Sequence, residues 1–292
     1  MSVQAADDVY LVHREALFGL AYRMLGSISD AEDVVAETYL RWRRSPRKDV
    51  ENPRSFLFSI AARLSLDLLK SAQRSRVDYV GSWLPEPLIT SYDDPSAHVE
   101  TADTVSLAFL HLLERLTPPE RAVFVLRSAF DYPHAEIADL LGLSPDNVRQ
   151  VHRRAQQRLG PEGQPRFVPD EQRSRELVQR FLDAAATGEV QPLADLLAED
   201  VVLVGDGGGK AASVLHPIFG RLKIARFIRT LGRKAPPKTR FDVVRANGVP
   251  ALLVHTPEQV EGVYALDIDP GSGLVVGIHA VRNPDKLRHI KP

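Results

Sequence analysis

Residues Tyr132–Leu159 read YPHAEIADLLGLSPDNVRQVHRRAQQRL, and the reading of the whole chain turns on this stretch. The pattern predicts helix, tight turn, helix. Pro133 stands where a first helical turn tolerates proline, because that N–H has no intrahelical partner anyway. Ile137, Leu140 and Leu141 recur at helical spacing and mark a buried face, and Gly142 follows as a stop. Ser144 is a good N-cap, Pro145 fits the first helical position, and Asp146 complements the positive end of the helix dipole. The second helix places Val148, Val151 and Ala155 at i, i+3 and i+7. Its other faces carry Asn147, Arg149, Gln150, His152, Arg153, Arg154, Gln157 and Arg158. One Asp against four Arg, with amides between them, suits a helix lying in a DNA major groove, with early residues at base edges and later arginines on phosphates. An ordinary helical hairpin with a solvated basic face has the same pattern, and this stretch alone leaves both readings open.

The rest of the chain narrows the choice. A length of 292 residues predicts about two domains, or more if they are small. Formal net charge is −1, so any surface for nucleic acid must be local. There is no cysteine, which excludes disulfides and thiolate metal sites and fits a reducing cytoplasm. No apolar run approaches ~18 residues, so no membrane-spanning helix is expected. The start, MSVQAADDVYLVHREALFG, is acidic and lacks the basic segment of a signal peptide.

Val9–Leu25 has a helical apolar pattern ended by Gly26, and Ser27 or Ser29 can cap the next helix. In that helix Asp30, Glu32, Asp33 and Glu37 crowd the start and Arg41, Arg43 and Arg44 crowd the end, complementing the dipole. The acidic face lies beside Val34, Val35, Tyr39, Leu40 and Trp42. After a break at 46–53, NPRSFLFSIAARLSLDLLKSAQRSR forms a long amphipathic helix. Its apolar positions include Phe56, Leu57, Ile60, Leu64 and Leu68, and Arg54, Arg63, Asp67, Lys70, Ser71 and Arg74 lie elsewhere on it. Residues 77–102 form a linker rich in Pro, Ser and Asp that contains SWLPEPL, a proline-stiffened segment apt to lie extended on another surface. Thr104–Leu116 is helical, and LTPPERAVFVLRSAFDY then leads directly into the helix–turn–helix.

Three of these segments, in this order, carry a resemblance. DAEDVVAETYLRW, then SFLFSIAARLSLDLLK, then LTPPERAVFVLRSAFDYPHAEIADLLGLSPDNVRQVHRRAQQRL are similar to regions 2 and 4 of the extracytoplasmic-function (group 4) bacterial sigma factors. The similarity covers most of residues 8–160. It implies that Asp30, Glu32, Asp33, Glu37, Tyr39 and Trp42 dock on the clamp helices of the RNA polymerase β′ subunit. It implies that Arg54, Phe58, Arg63, Asp67, Lys70, Ser71 and Arg74 open and read the −10 promoter element. It implies that Ser144, Asn147, Arg149, Gln150, Arg153, Arg154 and Arg158 read the −35 element, with the β flap as a further polymerase contact of region 4. The physics suits these roles: an opened strand needs side chains to hold its bases and cations to hold its phosphates. A duplex reader needs a groove-entering helix with phosphate anchors.

Residues 161–169, PEGQPRFVP, form a second linker. Glu171–Ala186 reads as an amphipathic helix, Gln191–Leu197 continues helical, and VVLVGDGGGK reads as a strand ending in a glycine turn. A helix over Ile218–Leu231 follows, then strand-like runs at Arg240–Arg245, Ala251–His255, Gly262–Asp267 and Leu274–Val281, separated by turn chemistry such as Asn247-Gly248. Helices first and then a curled antiparallel sheet is an α+β pattern. It resembles the SnoaL-like branch of the nuclear-transport-factor-2-like (NTF2-like) cone fold, which implies an apolar pocket and a possible small apolar ligand. Asp206, Lys210, His216, His255 and His279 are the polar residues that could line it. DGGGK lacks the spacing of a phosphate loop, so its glycines are expected to make a tight strand turn.

Three short stretches add a finer resemblance. Trp83-Leu84-Pro85-Glu86-Pro87, Asp206 to Lys210 (DGGGK) and Asn283-Pro284-Asp285-Lys286-Leu287 are similar to motifs of the SigJ-like subgroup, in which the sigma regions carry a fused SnoaL-like domain. The expectation is therefore a multidomain chain: two all-α sigma domains, a region 2 helical bundle over 1–76 and a region 4 helix-turn-helix over 103–160, joined by the 77–102 linker. After a 161–170 linker comes an α+β NTF2-like/SnoaL-like cone domain over 171–292 that regulates in cis through those three stretches. The expected partners are core RNA polymerase and promoter DNA, with no membrane, no cofactor, no metal and no catalysis, in the cytoplasm. The alternative is a helix–turn–helix regulator fused to a ligand-sensing or isomerase/cyclase-like cone.

Overall fold

The computed structural model describes residues 3–45, 50–75, 78–90, 106–160 and 171–292. Their contacts divide the chain into two compact units, 1–77 with 112–164 and 78–111 with 165–292. The linker between the two expected sigma domains thus groups with the C-terminal half, while the two sigma domains form one unit.

The first unit is all helix. It holds α1 (Val3–Leu25), α2 (Ile28–Arg44) and α3 (Pro53–Ser75), then α5 (Pro118–Ser128), α6 (His134–Leu141) and α7 (Pro145–Leu159). The short α4 (Leu107–Leu113) contains the division between the units. Local chemistry sets the helix starts. Ser27 Oγ accepts from Asp30 N, Asn52 Oδ1 accepts from Ser55 N just ahead of Pro53, and Ser144 Oγ accepts from Asn147 N. Gly142 ends α6 in the left-handed conformation at φ 69°, and the N–H groups of Gly142 and Leu143 both reach the Ala138 carbonyl. Leu17, Leu20, Met24, Trp42, Leu57 and Phe58 are fully buried in this unit.

The second unit is α+β. Helices α8 (Glu171–Thr187), α9 (Val190–Ala194) and α10 (Arg221–Arg233) accompany a seven-stranded sheet. The strands are β1 (Ile89–Thr90), β2 (Leu197–Asp206), β3 (Ile218–Phe219), β4 (Arg240–Ala246), β5 (Val249–His255), β6 (Val260–Ile268) and β7 (Val275–Val281), in the order β1-β4-β5-β6-β7-β2-β3. Strands β4 to β7 form an antiparallel meander, and Asn247 (φ 55°) and Gly248 (φ 72°) make the two-residue turn that their sequence predicts. Two features depart from the expected antiparallel sheet. Strand β2 runs parallel to β7, and the linker itself adds an edge strand, β1, to β4. The expected helical start at Ile218 is a two-residue strand instead, with α10 beginning at Arg221, and the segment expected to stay helical through Leu197 ends at Ala194.

The sheet has two apolar faces. One packs against the helices through Leu177, Phe181, Leu203, Ile224, Leu252, Leu266 and Ile278. The other is covered by linker residue Leu84, by Leu107 of α4 and by Leu287, over Val204, Ala251, Leu253, Val263 and Val281. The period of two along a strand therefore decides which side chains meet the linker.

Candidate functional site

In the helix–turn–helix, Val148, Val151, Ala155 and Leu159 are buried, and Asn147, Arg149, Gln150, Arg153, Arg154 and Arg158 are exposed. The arginines are not equivalent. Arg149 pairs with Asp146. Arg158 Nη1 lies 3.3 Å and Arg154 Nε 4.0 Å from the carboxylate of the buried Glu120 on α5. Glu120 also accepts from the Thr117 N–H at 3.0 Å, so one carboxylate caps α5 and braces α7. Gln150 and Arg153 have no side-chain partner among the described residues. Behind the helix, His152 Nδ1 faces His134 Nε2 at 3.2 Å. Burial, reinforced by His134 and Arg127, holds the His152 imidazole below its ordinary pKa.

The helix α3 is divided between two surroundings. Phe58 is fully buried, 5.3 Å from the Phe130 ring and 5.4 Å from the Tyr132 ring, with the Arg54 guanidinium over Phe58 and Tyr132 at 5.3 and 5.0 Å. Arg63 Nε donates to the Leu140 carbonyl at 2.9 Å and its Nη2 to the Asp139 carbonyl at 3.3 Å, and Ser59 Oγ also reaches Leu140 O at 3.1 Å. Those carbonyls are the orphan acceptors at the end of α6, so Arg63 serves as a cap in trans. Buried Arg121 on α5 donates to the Arg23 carbonyl at 3.0 Å and pairs with Glu114. Hence Arg54, Phe58 and Arg63 hold the two helical regions together. Asp67, Lys70 and Ser71 are exposed, with Lys70 3.5 Å from Asp67, and the Arg74 side chain lies outside the described residues.

On α2, Asp30, Glu32 and Asp33 are exposed, and Glu37 pairs with Arg41 at 2.8 Å. Tyr39 leans on Tyr10 with ring centroids 4.7 Å apart and donates to Asp7 Oδ1 at 3.0 Å. Trp42 is fully buried against Phe56, so it belongs to the core of this unit and not to the acidic surface where it was expected.

In the second unit the three short stretches meet at the end of β2. Asp206 is fully buried. Its Oδ2 accepts from the Leu84 N–H at 2.8 Å and from Lys286 Nζ at 2.7 Å, and its Oδ1 accepts from the Tyr79 hydroxyl at 2.6 Å. Lys286, also buried, donates to the Leu84 carbonyl, and its Nζ stands 3.9 Å from the centroid of the Trp83 ring and 5.2 Å from that of Tyr79. Asn283 Nδ2 donates to the Tyr79 oxygen at 2.9 Å. Burial first, then the hydrogen bond and charge of Asp206, push the Tyr79 phenol above its ordinary pKa, so it stays a donor. Both main-chain groups of Leu84 are thereby held by one buried ion pair.

The neighbours complete the clamp. Lys210 pairs with Asp285, a contact that holds the Asp285 carboxyl below its ordinary pKa. His289 Nε2 donates to the Pro87 carbonyl at 2.8 Å. Leu88 N donates to Asn247 Oδ1 at 3.0 Å and Asn247 N to Leu88 O at 2.8 Å. Asn283 Oδ1 caps the turn at Pro284–Lys286, and Leu84, Pro85, Pro87 and Leu287 are buried, with Trp83 and Glu86 partly so. The glycines make the turn as expected, and Gly208 (φ 58°) does more: a Cβ there would stand 2.2 Å from Asn283 Nδ2.

The remaining polar residues do not assemble a pocket site. Asp206 faces the linker, and His279 lies 3.3 Å from Asp267, with the ring of His111 of α4 against it. His255 bonds Asp242 at 2.7 Å across β4 and β5, and His216 is exposed ahead of β3. The opposite, helix-covered face is apolar.

Comparison with known proteins agrees with this geometry. Sigma-70 region 2 matches residues 9–75 and Sigma-70, region 4, matches residues 106–159. The ECF RNA polymerase sigma factor SigJ of Mycobacterium tuberculosis is 36% identical over 286 residues, covering 94% of this chain and 90% of the relative. The chain belongs to the extracytoplasmic-function RNA polymerase sigma factors. The probable sigma factor SigI of the same organism is 32% identical, covering 94% of this chain and 92% of its own. The crystal structure of M. tuberculosis SigJ superposes with a TM-score of 0.76 at 29% identity, covering all of this chain and 99% of that one. The fold is thus helical sigma regions followed by a C-terminal domain built on a mixed sheet.

A sigma factor binds core RNA polymerase and promoter DNA to start transcription, and no catalytic step is part of that role. No described helix of this sigma factor is long and apolar enough to cross a membrane. Sequence reasoning missed Tyr79, Asn247 and His289, which complete the clamp, and Arg121 and Glu114, which join the helical regions. Tyr79 stands four residues before Trp83 in an aperiodic segment, where only proximity to the tryptophan motif could have drawn notice.

Proposed function

We propose that this sigma factor is regulated in cis by its C-terminal unit, which grips the linker between its two promoter-binding regions. The observation that carries this reading is the Asp206–Lys286 pair, which takes both main-chain groups of Leu84. A buried charged pair costs desolvation that only good geometry repays, so its use on a linker marks a contact with a conformational purpose. The grip fixes how much of the linker is free when the helical regions move. In the first unit, Arg54, Phe58 and Arg63 are engaged with the end of α6 and with Phe130 and Tyr132. The same residues are the ones proposed to hold the opened −10 strand, so the packed unit is a closed form that must open for initiation. Asn147, Gln150 and Arg153, with Arg149, form the −35 reading surface, and Asp30, Glu32, Asp33 and Glu37 form the surface for the β′ clamp helices. The working compartment is the cytoplasm, where the polymerase is.

Run-off transcription tests the reading. Full-length protein and its Lys286→Met and Trp83→Ala variants are compared with core RNA polymerase on the DNA upstream of its own coding sequence. A change of severalfold in transcript at equal polymerase binding is the expected result. Unchanged transcription by both variants would overturn cis regulation while leaving the sigma assignment in place.

A further inference from the structure

Residues 221–240 contain eight Lys or Arg and no Asp or Glu, in a chain whose formal net charge is −1. Most of that charge sits on α10. Its apolar stripe is consumed by the fold: Ile224 and Ala225 are fully buried, and Phe227 and Ile228 pack on the sheet core. The opposite arc exposes Lys223, Arg226, Arg229 and Arg233 around Leu222 and Thr230. At 100° per residue these four cations fall within about a third of the helix circumference and extend about 15 Å along its axis. Arg221 pairs with Glu199 at 3.2 Å, whereas the four have no ion-pair partner among the described residues. Like charges at i,i+3 and i,i+4 weaken a helix, so an anion lying across the arc would relieve the helix as well as bind it.

We infer that this arc is a sequence-independent contact surface for the phosphate backbone of duplex DNA, separate from the helix–turn–helix. The chemistry selects among anionic surfaces. A helix that lies in a lipid interface needs its apolar face for the acyl layer, and here that face is already packed in the domain. Single-stranded nucleic acid is held by stacking on aromatic side chains, and none of the exposed positions of α10 is aromatic. A row of flexible cations without base-reading geometry is what backbone contact requires. The protein is a sigma factor, so promoter binding brings duplex DNA close at high effective concentration, where even weak phosphate contacts add affinity.

The test uses full-length protein and a random duplex of about 40 base pairs, with binding followed by fluorescence anisotropy over a salt series. The variant Lys223→Gln/Arg226→Gln/Arg229→Gln/Arg233→Gln changes only exposed positions. If all four engage phosphates, its plot of log affinity against log salt is shallower by about 3 to 4, with affinity down about tenfold or more at low salt. The charge-preserving Arg226→Lys/Arg229→Lys/Arg233→Lys variant keeps the wild-type slope. An unchanged slope in the Gln variant overturns the inference, as does an equal loss in the Lys variant, which would make the effect structural. Parallel sedimentation with phosphatidylglycerol vesicles covers the lipid case: wild-type sedimentation abolished in the Gln variant, with DNA binding intact, also overturns it.

Discussion

Replacing Lys286 by Met removes one charge from the linker clamp while keeping an unbranched side chain only one atom shorter. Asp206 would remain fully buried with the Tyr79 hydroxyl and the Leu84 N–H as donors, but without its cation. Breaking a buried pair by deleting one partner costs about 3–5 kcal/mol, because an uncompensated charge stays behind. For a unit of this size each kcal/mol moves the melting midpoint by roughly 2–4 °C, so the C-terminal transition should fall by roughly 6–20 °C. Removing both charges, in Asp206→Asn with Lys286→Met, leaves no stranded ion and should recover most of that loss. The two proteins are compared by scanning calorimetry, and amide exchange at Leu84 reports the clamp directly. A fall of less than about 2 °C in the single variant, with Leu84 protection unchanged, would refute the argument that the pair holds the linker. So would a double variant that loses as much as the single one.

Other perturbations probe the remaining contacts. Gly208→Ala should drive Asn283 off Tyr79, since the added Cβ would stand 2.2 Å from Asn283 Nδ2, and a midpoint lowered by several degrees in the C-terminal transition checks it. Phe58→Ala should cost the helical unit about 3–5 kcal/mol in urea unfolding, and a loss below about 1 kcal/mol would mean that the ring is not a core anchor. The neutral form of His152 is favoured in the fold, so the native state binds fewer protons there than the unfolded chain. Its contribution is present above the ordinary histidine pKa of about 6.5 and is lost as pH falls below it; His152→Asn should flatten the urea midpoint between about pH 7.5 and 5.5.

Much of the first unit is legible because its signals are local. Ser27, Gly142 and Ser144 announce their helix ends within four residues, and the structure uses each of them. The amphipathic pattern marks buried positions as well. Ala31, Val34, Val35, Thr38 and Trp42 form one stripe at helical spacing, which places the tryptophan inside and leaves the acidic residues out. Phe58, Ala62, Ser65 and Leu69 do the same on α3. The second unit is less legible because its decisive contacts are remote. Tyr79 reaches Asp206 across 127 residues and Lys286 reaches Leu84 across 202. The motifs stood out as short runs, but nothing local says that one carboxylate gathers all three. The parallel pairing of β2 with β7 is hidden for the same reason, since alternation along a strand records burial and not the direction of its neighbour.

The two units share one physical device, a side chain that satisfies main-chain groups of a distant segment. Arg63 takes the carbonyls that α6 cannot satisfy by itself, and Asp206 with Lys286 takes the N–H and C=O of Leu84. Hydrogen bonds of this kind hold position while depending little on the sequence of the segment they hold. They differ in exposure. Arg63 is exposed and can be exchanged for water or phosphate at little cost, whereas Asp206 and Lys286 are sealed and must leave together or not at all. The Arg63 contact is therefore the easier one to exchange and the grip on Leu84 the harder, while buried Phe58 and Arg121 also join the helical regions.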